Sequence, residues 1–154
     1  MTPLFKKLNF KDQDSVFVVN APPEFDQEIA EMAKTCPVYT RLPDETKPVA
    51  FVLIFATRLE EIEQSIQRVY PMLEGDAVLW FAYPKGTSKK YRCEFNRDTG
   101  WKSLGSYNIE PVRQVAVDED WSALRFRKVE FIKKFTRNEA MILSEKGREK
   151  RKDR

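Results

Sequence analysis

At 154 residues, with 42% hydrophobic and 33% charged side chains, the chain has the length of one domain and the composition of a globular one. It has no histidine and two cysteines, which excludes His-activated nucleophiles, His-based metal sites and a disulfide framework. The net charge of +3 is uneven: residues 1–131 hold 18 Lys/Arg against 20 Asp/Glu, a balance of −2, and residues 132–154 hold 9 against 4, a balance of +5. The longest apolar run, Val49–Ala56, falls far short of the ~20 residues that span a bilayer. Met1–Phe10 has no apolar leader segment, so a cytoplasmic protein with Cys36 and Cys93 as reduced thiols and no membrane contact is expected.

In chain order, "SVFVVN" (Ser15–Asn20) is a short buried strand stopped by "APPEF", since β-branched and aromatic residues favour strands and proline ends them. A helix is predicted over Asp26–Lys34, with Ile29 and Met32 on one face. "PVYTR" (Pro37–Arg41) reads as a polar strand near an edge. "PVAFVLIFATR" (Pro48–Arg58) is apolar at successive positions, the mark of a parallel strand covered on both faces. Leu59, Ile62, Ile66, Val69, Tyr70 and Leu73 recur at helical spacing over Leu59–Leu73, and Gly75 suits the left-handed position that ends a helix.

"DAVLWFAYP" (Asp76–Pro84) is a second strand buried on both faces. A short helix is predicted from Arg97 to Leu104, capped by Asn96 and ended by Gly105; Trp101 and Leu104, three apart, belong to the core. "PVRQVAVDE" (Pro111–Glu119) and "WSALRFRKVEF" (Trp121–Phe131) follow so closely that they must pair antiparallel. Alternation sends Arg125 and Arg127 the same way, to meet carboxylates or form a small basic stripe. From Lys133 the chain is polar and highly charged, so residues 1–131 are expected to form the domain and 132–154 a basic helix or mobile tail.

Strands alternating with helices predict a single Rossmann-like α/β domain, a mostly parallel sheet closed by an antiparallel hairpin with one antiparallel strand at the edge. The pattern resembles the nucleotide-binding sheet of S-adenosylmethionine-dependent methyltransferases. "FKDQDSVFVVNAPPEF" stands where those enzymes have their first strand and glycine loop, and "LEGDAVLWFAYPK" resembles their fourth-strand region. More narrowly, "LWFAYPK", "PVRQVAVDEDWSALRFR" and "FIKKFTR" resemble a family of small uncharacterised Rossmann-like proteins, akin to degenerate methyltransferases, over the chain to about residue 140. That family implies a fold and no activity.

In such sheets ligands bind beyond the carboxyl ends of the strands, where Asn20–Phe25, Ala56–Arg58, Tyr83–Lys90 and Asp118–Ser122 should converge. The loop "NAPPEF" lacks glycine, and Pro22 and Pro23 have no N–H to offer. Thr40 and Arg41 stand where an acidic residue would hold ribose hydroxyls. No cofactor, metal or catalytic residue is therefore expected. The candidate ligand-binding residues are Asn20, Lys85, Thr87, Ser88, Asp118, Asp120, Trp121 and Ser122. "PKGTSKK" (Pro84–Lys90) combines three lysines, one glycine and two hydroxyls, suited to an anionic group without the P-loop spacing, or simply to a solvated turn. The leading expectation is a non-catalytic domain that binds a small anionic ligand or a protein partner at this rim. Its alternatives are a divergent methyltransferase and a protein that meets nucleic acid non-specifically through the basic tail.

Overall fold

Among the described residues, six strands form one sheet: β1 (Val16–Val19), β2 (Val38–Tyr39), β3 (Val49–Phe55), β4 (Leu73–Pro84), β5 (Ile109–Ala116) and β6 (Trp121–Lys128). The computed structural model describes residues 1–96 and 99–132, and the expected basic tail lies outside them except for Ile132. The strand order is β2-β1-β3-β4-β6-β5. β2, β1, β3 and β4 run parallel, and β6 is antiparallel to both β4 and β5. The antiparallel strand thus sits inside the sheet and β5 takes the edge, a correction to the expected edge position. A tight hairpin dictates that β5 and β6 pair, and burial decides which of them meets β4. β6 is buried over Trp121–Leu124, whereas β5 exposes Val112, Arg113 and Gln114.

β3 and β4 are central because both their faces are apolar, and each has a covering layer. On one face lie helices α1 (Pro3–Lys7) and α2 (Asp26–Met32), packed through Phe5, Leu8, Phe25 and Met32 onto Val16, Phe51, Leu53 and Trp80. On the other lie α3 (Leu59–Val69) and a 3₁₀ segment, Lys102–Tyr107, which place Ile62, Ile66, Trp101 and Leu104 over Val52, Ile54 and Phe81. No helix among the described residues is long and apolar enough to cross a membrane.

α3 starts where the sequence places it. The Glu61 carboxylate turns back to accept the backbone N–H groups of Thr57 (2.9 Å) and Arg58 (3.0 Å), satisfying donors that a helix start leaves free. The helix ends at Val69, four residues early, because Pro71 tightens Tyr70–Met72 into a 3₁₀ turn. Gly75 is no helix terminator: it lies within β4 at φ +58°. There β4 places four residues between Leu73 and Val78 against one on β3 between Val49 and Phe51, and the excursion requires a left-handed residue. Of the expected 97–104 helix, residues 97 and 98 lie outside the described residues, and the helical turn among the rest is the 3₁₀ segment Lys102–Tyr107, which contains Gly105 and ends on left-handed Asn108.

Candidate functional site

β1 has β2 on one side and β3 on the other, so the chain reverses its direction of travel across the sheet there, and the crevice outside these carboxyl ends is where an α/β sheet takes a ligand. The chain leaves β1 through Asn20 at φ +60°. Asparagine tolerates this left-handed turn better than most residues with a side chain, so the sharp exit survives without glycine. Pro22 and the Pro23–Phe25 3₁₀ turn follow, and they aim Phe25 and Glu24 at the crevice.

Aromatic rings occupy it. Phe25 meets Phe55, the last residue of β3, with ring centres 5.0 Å apart; Phe55 meets Trp121, the first residue of β6, at 5.0 Å; Trp121 meets Tyr91 at 4.9 Å. The row crosses the strand ends from β1 to β6 and returns to its start by a polar link. The Tyr91 hydroxyl donates to the Glu24 carboxylate at 2.5 Å, and Lys90 Nζ lies 3.5 Å from the same oxygen. The Trp121 indole N–H makes no hydrogen bond of its own among the described residues, but it lies close enough to Glu24 to help lower its pKa.

Loop 85–91 is braced from below by the hairpin turn. The Lys85 N–H donates to the Asp120 carbonyl at 2.8 Å, and the Ser88 hydroxyl donates to the Asp120 carboxylate at 2.8 Å. Ser88 Oγ also accepts the N–H groups of Tyr91 (3.1 Å) and Lys90 (3.3 Å). Asp118 caps its own turn, accepting from the N–H groups of Asp120 and Trp121, both at 2.8 Å. Of the eight sequence-derived candidates, the structure brings Lys85, Ser88, Asp118, Asp120 and Trp121 together as parts of this brace. Ser122 is buried beside Trp121, and Asn20 and Thr87 are exposed. Glu24, Tyr91 and Phe55 were not among those candidates. Glu24 and Tyr91 are 67 residues apart, and no sequence spacing pairs them.

The Tyr91–Glu24 link has a pH signature. The hydrogen bond from Tyr91 holds the Glu24 carboxyl below its usual range, and the same bond pushes the Tyr91 hydroxyl up to about 12. A carboxyl that titrates lower in the folded chain stabilises it above the unfolded pKa, and that contribution disappears as pH falls through the folded value. Tyr91 contributes below its unfolded pKa of 10.0, and its share disappears as pH rises towards about 12. Tyr91→Phe should therefore return the Glu24 pKa towards 4.5, as followed by a nuclear magnetic resonance titration of its carboxyl carbon. An unchanged Glu24 pKa in the variant would mean that the link does not form.

A concavity of about 840 Å³ lies at the β2 edge of the sheet. It is lined by Phe17, Tyr39, Arg41, Leu42, Pro43 and Lys47. It exists because β2 returns to β3 through the loop at 40–48 without a helix to cover that part of the sheet. Among the described residues no cluster of acidic and cysteine side chains is disposed to hold a metal ion.

No protein-family model and no curated protein sequence matches the chain. Solved structures do. An S-adenosylmethionine-dependent methyltransferase from Aquifex aeolicus is 15% identical, with a TM-score of 0.52 over 80% of this chain and 87% of its own. The N-methyltransferase NodS from Bradyrhizobium japonicum is 12% identical, with a TM-score of 0.52 over 81% of this chain and 91% of its own. With its parallel strands, its inserted antiparallel strand and its switch point beside β1, the chain has the Rossmann-like fold of the S-adenosylmethionine-dependent methyltransferases.

Proposed function

We propose that this protein is a non-catalytic domain of the methyltransferase-like fold that binds a small anionic ligand through loop 85–90 at the strand-end rim. The observation that carries this reading is the Phe25–Phe55–Trp121–Tyr91 row closed by Glu24. It fills the place where the fold accepts a cofactor. The residues there do not fit S-adenosylmethionine. Pro22 and Pro23 present no N–H groups, no glycine lets backbone approach a ligand, and Thr40 and Arg41 follow β2 in place of a carboxylate.

Loop 85–90 leaves accessible lysines on the rim, next to an exposed carboxylate at Glu119. Ser88, Asp118 and Asp120 are engaged with one another and with backbone, whereas Thr87 and Lys89 are exposed and Lys85 is half-buried. Lys85 leaves the sheet directly from Pro84 with its backbone pinned to Asp120, so its ammonium is the best-positioned of the three lysines. A protein partner with an acidic segment would use the same groups. The similarity in fold to two methyltransferases favours a second reading, a divergent methyltransferase, and one set of measurements separates the two. Calorimetry with S-adenosylmethionine should detect no binding, while a thermal-shift panel of mononucleotides and sugar phosphates should raise the melting temperature by mass action. A charged contact of this kind is worth ~1.5–3 kcal/mol, so Lys85→Ala should weaken the best hit about tenfold or more, and Lys89→Ala far less. Micromolar affinity for S-adenosylmethionine would reject the non-catalytic reading.

A further inference from the structure

Strict alternation along β5 would put Ile109, Pro111, Arg113 and Val115 on one face. They do not share it. Ile109 packs into the core under α3, whereas Val115 packs into the core on the α1 side. The register against β6 slips between Pro111 and Arg113, so Val112 is an extra residue, 40% exposed, and Arg113 turns to the α1 face. Bulges of this kind re-aim a side chain and recur beside functional sites.

The bulge brings Arg113 directly opposite Arg125, with Arg127 two residues further along the same face of β6. Like charges opposed across a ladder destabilise it, and the neighbouring carboxylates are already committed. Asp76 grips Arg127 with both oxygens, at 2.9 and 2.6 Å. Glu110, the register partner of Arg127, is buried and already has an interaction of its own. Arg125 donates one NH group to neutral Asn9 Oδ1 at 3.2 Å, and its Nε–H is shielded from solvent with no hydrogen-bond partner among the described residues. Burial first, and then Arg127 and Arg113, make the Arg125 proton easier to lose than usual. Arg113 is exposed.

We infer that Arg113 and Arg125 form a site for a phosphate group on the α1 face of the β5–β6 hairpin, with the guanidinium groups of Arg113 and Arg125 as its donors. A phosphate supplies what the cluster lacks. It places negative charge between two guanidinium groups that otherwise repel. Arginine forks match phosphate oxygens in pairs, as Arg127 already matches the paired oxygens of Asp76. The site lies four residues along β6 from Trp121, about 14 Å at ~3.4 Å per residue, and does not rest on the reading of the rim.

The full chain should be titrated with inorganic phosphate and, separately, with phosphoserine, each against sodium chloride at matched ionic strength, by thermal shift and calorimetry. Phosphate should raise the melting temperature beyond the chloride control. Arg113→Gln should weaken it about tenfold or more, while Lys85→Ala should leave the response unchanged. Arg113→Glu should abolish the response and raise the melting temperature without phosphate, because it replaces a repulsive pair with an attractive one. Tighter binding of phosphoserine assigns a phosphate carried on a larger molecule, and equal binding assigns the free ion. A phosphate effect no larger than that of chloride overturns the inference, as does a response that survives Arg113→Gln. A response lost in Lys85→Ala and kept in Arg113→Gln would move the anion to the rim, supporting the proposed function and rejecting this site.

Discussion

Trp80→Ala should destabilise the protein by about 3–5 kcal/mol, the range for deleting a large, fully enclosed aromatic side chain. Trp80 is 0% exposed at the centre of β4, facing α1. Its indole N–H donates to the Leu8 carbonyl at 2.8 Å, which ties the end of a five-residue helix to the sheet. A helix that short has negligible stability of its own, so its place depends on Phe5, Leu8 and this bond. Truncation leaves a cavity and a carbonyl without its donor. Trp80→Phe keeps most of the ring and loses the bond, so it should cost less, about 1–3 kcal/mol. Urea denaturation of both variants measures this. A loss under about 1 kcal/mol for the alanine variant would mean that α1 does not depend on the tryptophan.

Gly100→Ala should cost about 2–6 kcal/mol, combining backbone strain with overpacking, each worth about 1–3 kcal/mol. Gly100 has φ +93°, and a Cβ placed there would lie 2.4 Å from the Phe95 Cβ and 2.9 Å from a Leu59 methyl. The first neighbour sits next to the main chain and cannot yield as a flexible side-chain end would. Phe95 and Trp101 meet with ring centres 4.9 Å apart, and Trp101 also contacts Phe81, Tyr83 and Phe126, so a shift at Gly100 is felt in the core over β4 and β6. Gly86→Ala is the matched control. Nothing lies within 4 Å of its added methyl, and its φ is not left-handed, so its effect should stay within about 0.5 kcal/mol. If the two variants have equal melting temperatures, the tight approach at Gly100 is absent in solution.

The α/β class, the two central strands, α3 and the closing hairpin were all legible because each rests on a local pattern. Val49–Phe55 is apolar at nearly every position, α3 repeats at three and four residues, and a short acidic turn leaves β5 and β6 no arrangement except antiparallel. Val38–Tyr39 at the β2 edge follows from the polarity around it. α1 was missed because "PLFKK" is too short to show a period, and its cap, the Thr2 hydroxyl on the Phe5 N–H, is visible only once the helix exists.

What the sequence by itself determined is therefore the kind of sheet and the absence of a glycine loop after β1, since hydrophobic period and the lack of amide donors are properties of neighbouring residues. Only the tertiary structure decided that β6 enters the sheet beside β4, that Tyr91 closes over Trp121 onto Glu24, and that Val112 bulges so that Arg113 faces Arg125. Each of these joins segments far apart in the chain or depends on a one-residue slip in register. Pairings of that kind are settled by which apolar surfaces can be buried together, a competition that no local window contains.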